Sequence, residues 1–161
     1  MKKECFKNLS INEQKRYKRI IERATKERPA LNKCDGMSII GACSIADAIK
    51  LEPNTGLNYA LLLPVKNKCN LYITSNGIME LALRYGEIKS LSVFNYMDKE
   101  TNTKGIGGTI KLFDGFEKTL KFSNQEIKQI ASNYEYSKQL SFEEIARKHV
   151  LKQLLLQSLD F

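Results

Sequence analysis

Three serine boxes punctuate this 161-residue chain and constrain its fold more than any other feature. Ser10-Ile11-Asn12-Glu13, Ser123-Asn124-Gln125-Glu126 and Ser141-Phe142-Glu143-Glu144 share one pattern. In it the serine hydroxyl accepts from an early backbone N–H of a helix, and the glutamate three residues on accepts from the serine's own N–H. The boxes predict helices over 11–28, 124–133 and 142–158. Asp35 stands where an N-cap would open a fourth helix, 36–50, with apolar residues on nearly every side. Asn76 reads as the cap of a fifth, 77–85, closed by Gly86.

Strand-like runs lie between these helices. Leu57–Leu63 and Cys69–Thr74 flank Pro64-Val65-Lys66-Asn67-Lys68 and read as a hairpin, with Pro53 and Pro64 fencing a buried first strand. Ile88–Met97 alternates in part, and Gly108–Phe113 joins Phe116–Phe122 through Asp114-Gly115, a strong hairpin signal. Residues 98–107, rich in threonine, lysine and glycine, read as a loop that includes part of the Gly105-Ile106-Gly107-Gly108 patch. The order α-α-β-β-α-β-β-β-α-α predicts an α+β single domain, with an antiparallel sheet of about five strands packed with helices. The length suits one domain with a core that needs neither disulfide nor metal.

Composition narrows the chemistry. The longest apolar run is strand-sized, and no apolar signal core follows the charged start Met1-Lys2-Lys3-Glu4-Cys5, so a cytoplasmic protein without membrane partners is expected. Cys5, Cys34, Cys43 and Cys69 form no C-x-x-C pair and have no histidine at ligand spacing, so no metal or other cofactor is expected. The single histidine, His149, shares a helix face with Phe142, Ile145 and Ala146 and reads as a core or interface residue. Nothing matches a Walker A loop, and no carboxylate constellation follows a strand. The expectation is a protein that is not an enzyme and has no catalytic residues.

The net charge of +8 is unevenly placed, since the residues through Arg28 alone carry +6. On a helical wheel Lys15, Arg16, Arg19, Arg23 and Lys26 fall within an arc of about 100°, while Tyr17, Ile20, Ile21 and Ala24 hold another side. A solvated face usually mixes signs at i,i+4 spacing, and this ridge barely does, which points to an anionic polymer as partner. The final helix carries Val150, Leu151, Leu154, Leu155, Leu156 and Leu159 round all its sides, so this end, with the Tyr17, Ile20 and Ile21 seam of the first helix, is expected to pack between protomers and not wholly inside its own domain.

Several segments in register resemble the RecT family of phage recombinases. They are Arg28-Pro29-Ala30-Leu31, Cys34-Asp35-Gly36-Met37-Ser38, Leu51-Glu52-Pro53 and Tyr59-Ala60-Leu61-Leu62-Leu63-Pro64. Asn76-Gly77-Ile78-Met79-Glu80-Leu81-Ala82, then Arg84-Tyr85-Gly86, is similar to a further family helix, and Glu144-Ile145-Ala146-Arg147-Lys148 to the basic last one. The likeness spans residues 28–158, with Asn76, Leu83 and Gln153 standing where the family usually has basic residues. It divides the chain into a basic amphipathic N-terminal helix, 1–28, and a RecT-like core, 29–161.

The resemblance implies ATP-independent binding of single-stranded DNA and annealing of complementary strands in homologous recombination. It implies a homo-oligomer, ring or helical filament, that holds single strands and annealed duplex and meets a phage exonuclease and a host single-strand-binding protein. Arg147, Lys148 and Lys152 lie in the segment most like the family's basic helix, and Lys66, Lys68, Asn76, Arg84 and Lys111 stand on loops, strands or helix ends nearby in the motif order. With Arg19 and Arg23 of the ridge they make the candidate nucleic-acid-binding set, against the alternative that each is a solvated surface charge. The competing reading of the whole chain is a degenerate relative that kept the fold as an interaction protein without annealing activity.

Overall fold

The predicted order of elements is the order found. A computed structural model describes residues 3–159 and shows α1 (Ile11–Glu27), α2 (Gly36–Ile49), β1 (Ala60–Val65), β2 (Lys68–Ile73), α3 (Ser75–Arg84), β3 (Ile88–Asp98), β4 (Thr103–Leu112), β5 (Glu117–Ser123), α4 (Asn124–Ala131) and α5 (Phe142–Ser158). Short 3-10 turns precede α1 and α2, at Lys3–Phe6 and Pro29–Lys33. Met1 and Lys2, on which the expectation about the N-terminus partly rests, lie outside the described residues, as do the last two positions. The class is α+β. The strands are antiparallel throughout but belong to two sheets where one was expected: β1–β2, and β3–β4–β5 with β4 central. Backbone contacts cluster into two compact units, the first ending at Gly77 and the second beginning at Ile78.

All three serines cap their helices, and the first box forms both of its bonds. Ser10 accepts from Glu13 N–H while Glu13 accepts from Ser10 N–H, both at 3.1 Å, and Ser123 and Ser141 accept from Glu126 and Glu144 N–H at 3.2 and 3.1 Å. The fifth helix differs from expectation. Thr74, one residue before its start, supplies the cap, its hydroxyl accepting from Gly77 N–H at 3.1 Å, and Asn76 is instead an exposed residue of the first turn. A Cβ on Gly77 would stand 2.0 Å from the Tyr59 carbonyl oxygen, so only glycine lets α3 start this close to that loop. Gly86 is not a left-handed stop; the helix ends at Arg84 with Tyr85 N–H donating to Ala82 C=O.

In the first unit α1 and α2 lie over one core. Tyr17, Ile20 and Ala24 of α1 meet Ile39, Ile40 and Cys43 of α2, with Leu31, Leu62 and Cys69 completing it. Burial pushes the Cys43 thiol up to about 12, so it is an inert hydrophobe there. The proline-fenced strand begins at Ala60, not Leu57, which is 64% exposed, and it runs through Pro64 to Val65. Proline is tolerated because a two-stranded sheet leaves one edge of β1 unpaired. The reversal is a two-residue turn, Lys66-Asn67, with φ of 49° and 63°, a left-handed pair that matches the strand twist.

The second unit packs α5, with help from α4 and α3, on one face of the three-stranded sheet. Leu91, Ile106, Ile110 and Leu112 of the sheet meet Val150, Leu151 and Leu154 of α5 and Ile127 of α4. β4 begins at Thr103, so the residues read as a loop are largely strand, and the chain reverses over residues 99–102 alone. The glycine patch sits mid-strand because bulky neighbours come close. A Cβ on Gly108 would be 2.8 Å from Val150 Cγ1 and 2.9 Å from Leu154 Cδ1, which shows how tightly α5 lies on β4. The leucine-dense final helix is therefore mostly enclosed by its own unit: Val150, Leu151 and Leu154 are wholly buried, Leu159 nearly so, and Leu156 is 61% exposed.

Candidate nucleic-acid interface

The basic ridge of α1 is largely engaged within the protein. Arg16 Nη2 meets Asp47 Oδ2 at 2.9 Å, and Arg19 and Arg23 both grip Glu52, at 2.5 and 2.8 Å. Arg23 also donates to the Pro53 and Asn54 carbonyl oxygens. Burial works to raise the Glu52 carboxyl, but hydrogen bonds and charge from the two arginines outweigh it and hold the group below its ordinary value. Asn54, buried with φ 59°, accepts from Leu62 N–H at 3.1 Å and donates to Glu27 Oε2 at 2.8 Å. The segment Glu52-Pro53-Asn54 is thus a clasp between α1 and the start of β1. The ridge's remaining charge falls to Lys15 and Lys26, exposed residues that form no ion pair among the described residues.

Lys66 and Lys68 sit at the exposed tip of the β1–β2 hairpin, which is latched to the head of α2. Asp35 N–H donates to Asn67 C=O at 2.8 Å, and Ser38 Oγ donates to Asp35 C=O while accepting from Cys69 N–H. Asp35 occupies the predicted N-cap position, but its carboxylate turns to Lys68 Nζ at 3.4 Å and not to the helix backbone. Beside the tip opens a cleft of about 1000 Å³ whose polar rim includes Lys33, Asp35, Asn67 and Lys68.

The second unit holds the remaining candidates in three places. Arg84 pairs with Glu80 one turn earlier, at 3.3 Å. Lys111 is exposed on β4, in register with Glu117 of β5. On α5, Lys148, His149 and Lys152 line a shallow hollow with Ile130 and Tyr134, and Arg147 lies half-buried on the adjoining flank. Burial, reinforced by Lys152 and opposed by Glu144, lowers the Lys148 ammonium to about 8. His149 packs edge-on against Phe122, ring centres 4.9 Å apart, and burial with Lys152 lowers it as well, in keeping with a packing role.

The sheet face turned away from α5 was not singled out by the sequence. It carries Ser92, Phe94 and Tyr96 from β3, Gly105, Gly107 and Thr109 from β4, and Thr119 and Lys121 from β5. Lys121 Nζ lies 5.3 Å from the Tyr96 ring centre, and the Thr109 and Thr119 hydroxyls share a 2.9 Å hydrogen bond. Ser92-x-Phe94-x-Tyr96 at period two is the available signal, hidden because the sequence of its partners Gly105 and Gly107 has loop character. Among the described residues no cluster of three His, Cys, Asp or Glu side chains is placed to hold a metal ion, and no helix is long and apolar enough to cross a membrane.

Comparison with known proteins finds the RecT family model matching residues 14–159. Protein RecT of Escherichia coli strain K12 is 38% identical over 82 residues, covering 46% of this chain and 30% of that protein. Uncharacterized protein YqaK of Bacillus subtilis strain 168 is 24% identical over 148 residues, covering 78% of this chain and 52% of that protein. The chain spans about half or less of the length of these relatives.

Proposed function

Because the chain belongs to the RecT family, we propose that it binds single-stranded DNA and anneals complementary strands during homologous recombination, without ATP and as an oligomer. The match across residues 14–159 carries this reading. Physical support comes from charge: seven of the eight net positive charges fall before Ile78, and Lys66, Lys68, Lys111 and Lys152 are exposed. Annealing makes no covalent bond. It requires that phosphates be held by cations while base edges stay free to test a complement. Arg147, Lys148 and Arg84 are proposed to add to that contact, and Asn76 to contribute a neutral hydrogen-bonding group. Arg19 and Arg23 would do so only through the part of each guanidinium not held by Glu52. An exonuclease that supplies the single strand and a single-strand-binding protein that precedes this one are the proposed partners.

Fluorescence anisotropy with a labelled oligonucleotide, titrated against salt, tests the binding; strand pairing read by energy transfer, with and without ATP, tests the annealing. The affinity is expected to fall with a log–log slope of roughly −0.7 per phosphate contacted, and pairing to proceed equally without ATP. Binding that stays flat between low and moderate salt would overturn the phosphate-based reading. The second reading, an interaction protein without annealing, is favoured by the internal pairing of Arg16, Arg19 and Arg23. It would prevail if complementary strands pair no faster with the protein than without it.

A further inference from the structure

We propose that the open face of the β3–β4–β5 sheet is a stacking platform for unpaired bases of a single-stranded nucleic acid, with Tyr96 and Phe94 as the stacking rings and Lys121 as the nearest phosphate contact. The proposal rests on the function above and locates part of it. Its first support is how the sheet divides its residues. Every leucine, isoleucine and valine of the paired strands in this unit, among them Leu91, Val93, Ile106, Ile110 and Leu120, stands on the face toward α5 or packs into that core. The opposite face holds glycine, hydroxyl residues, the two aromatic rings and Lys121 in register with Gly107, with Lys111 and Glu117 at one end.

The rings are placed by their neighbours. Tyr96 and Phe94 stand in register with Gly105 and Gly107 and reach over them. A Cβ on Gly105 would be 2.6 Å from Tyr96 Oη and 2.7 Å from its Cε1, and one on Gly107 would be 2.9 Å from Phe94 Cε2 and Cζ. The glycines therefore make room for rings that lie low across β4 and remain half-buried. Covering a strand glycine with a cross-strand ring also stabilises the sheet, which accounts for one side of each ring; over Tyr96 the other side is approached by a mobile lysine side chain that a base would displace toward its phosphate. Lys121 over Tyr96 shows that the ring already attracts a cation, and the same ammonium is within reach of a phosphate linking bases on the platform. Glu117 stands beside Lys111 at the far end, so the cation nearest the rings is Lys121. Base–aromatic stacking tolerates any sequence, which suits a protein that must hold whichever strand it meets.

The test uses the full chain, oligothymidylate, and an abasic oligomer of equal length that presents phosphates without bases. Phe94→Leu and Tyr96→Leu keep an apolar cover on the glycines but remove the π system. Each is expected to weaken oligothymidylate binding roughly tenfold and to leave abasic binding unchanged. Because the chain has no tryptophan, Tyr96→Trp supplies a reporter that does not depend on the leucine variants folding well. Its indole emission is expected to be quenched by oligothymidylate and not by the abasic oligomer. Equal binding of oligothymidylate by wild type and both leucine variants, with the indole emission of Tyr96→Trp unquenched, would overturn the platform while the DNA-binding reading stood. Failure of the wild type to bind either oligomer would overturn both. An emission change that follows protein concentration alone would make the face a contact between copies and overturn the proposal.

Discussion

Lys148 is the side chain whose charge the fold disturbs most visibly. Its ordinary value of 10.5 falls to about 8 because the ammonium is drawn into the hollow on α5 and stands near Lys152. Between those two values the unfolded chain holds the proton that the folded chain has released. Stability from this site is therefore lowest below about pH 8 and rises as pH climbs toward 10.5. Lys148→Met removes the burden, so it is expected to melt above wild type at pH 7 and to lose that margin by about pH 10; a margin independent of pH would refute the assignment. Where Lys148 meets a phosphate, binding should weaken as pH passes about 8, and Lys148→Arg should abolish that decline.

At the scale of elements, α1 and α5 show opposite fates for similar sequence patterns. The basic ridge of α1 looked like a surface awaiting an anion, but acidic groups from distant segments, Asp47 and Glu52, already meet its arginines. Arg23→Ala is expected to lower stability by about 1–2 kcal/mol, since it takes away one of the two arginines on Glu52 and leaves two loop carbonyls without their donor, while Lys15→Ala should change the melting temperature little. Equal effects of the two in thermal melts would show that the clasp does not hold the loop. α5 looked leucine-rich on every side because it has several neighbours to meet: β4, β5 and α4. Leu154→Ala should cost about 2–5 kcal/mol in denaturant unfolding, as expected for a wholly buried leucine.

For the molecule as a whole, Leu156 is the leucine of the final cluster that stays exposed, while Leu151, Leu154 and Leu159 are buried. Leu156→Glu is expected to melt like wild type yet sediment as a smaller species on single-stranded DNA and anneal strands more slowly. Unchanged sedimentation would remove this end of α5 from any subunit contact. Leu159, buried in its own unit, cannot serve the same test, because a carboxylate there would unfold the chain before it informed on assembly.

What the sequence by itself determined is local: the serine boxes, the Asp114-Gly115 turn and the order of helices and strands, because caps and turns are settled by residues within four positions of one another. The family, too, was legible, since its motifs are short runs in a preserved order. Where the strands end, and what the arginines meet, only the tertiary structure decided. Gly105 and Gly107 become strand when Phe94 and Tyr96 cross over them from β3, and Arg19 and Arg23 become a clasp when Glu52 arrives from 29 residues or more away. Propensity and charge along the chain carry no information about which distant side chain will fill a gap or answer a charge; packing in three dimensions supplies it.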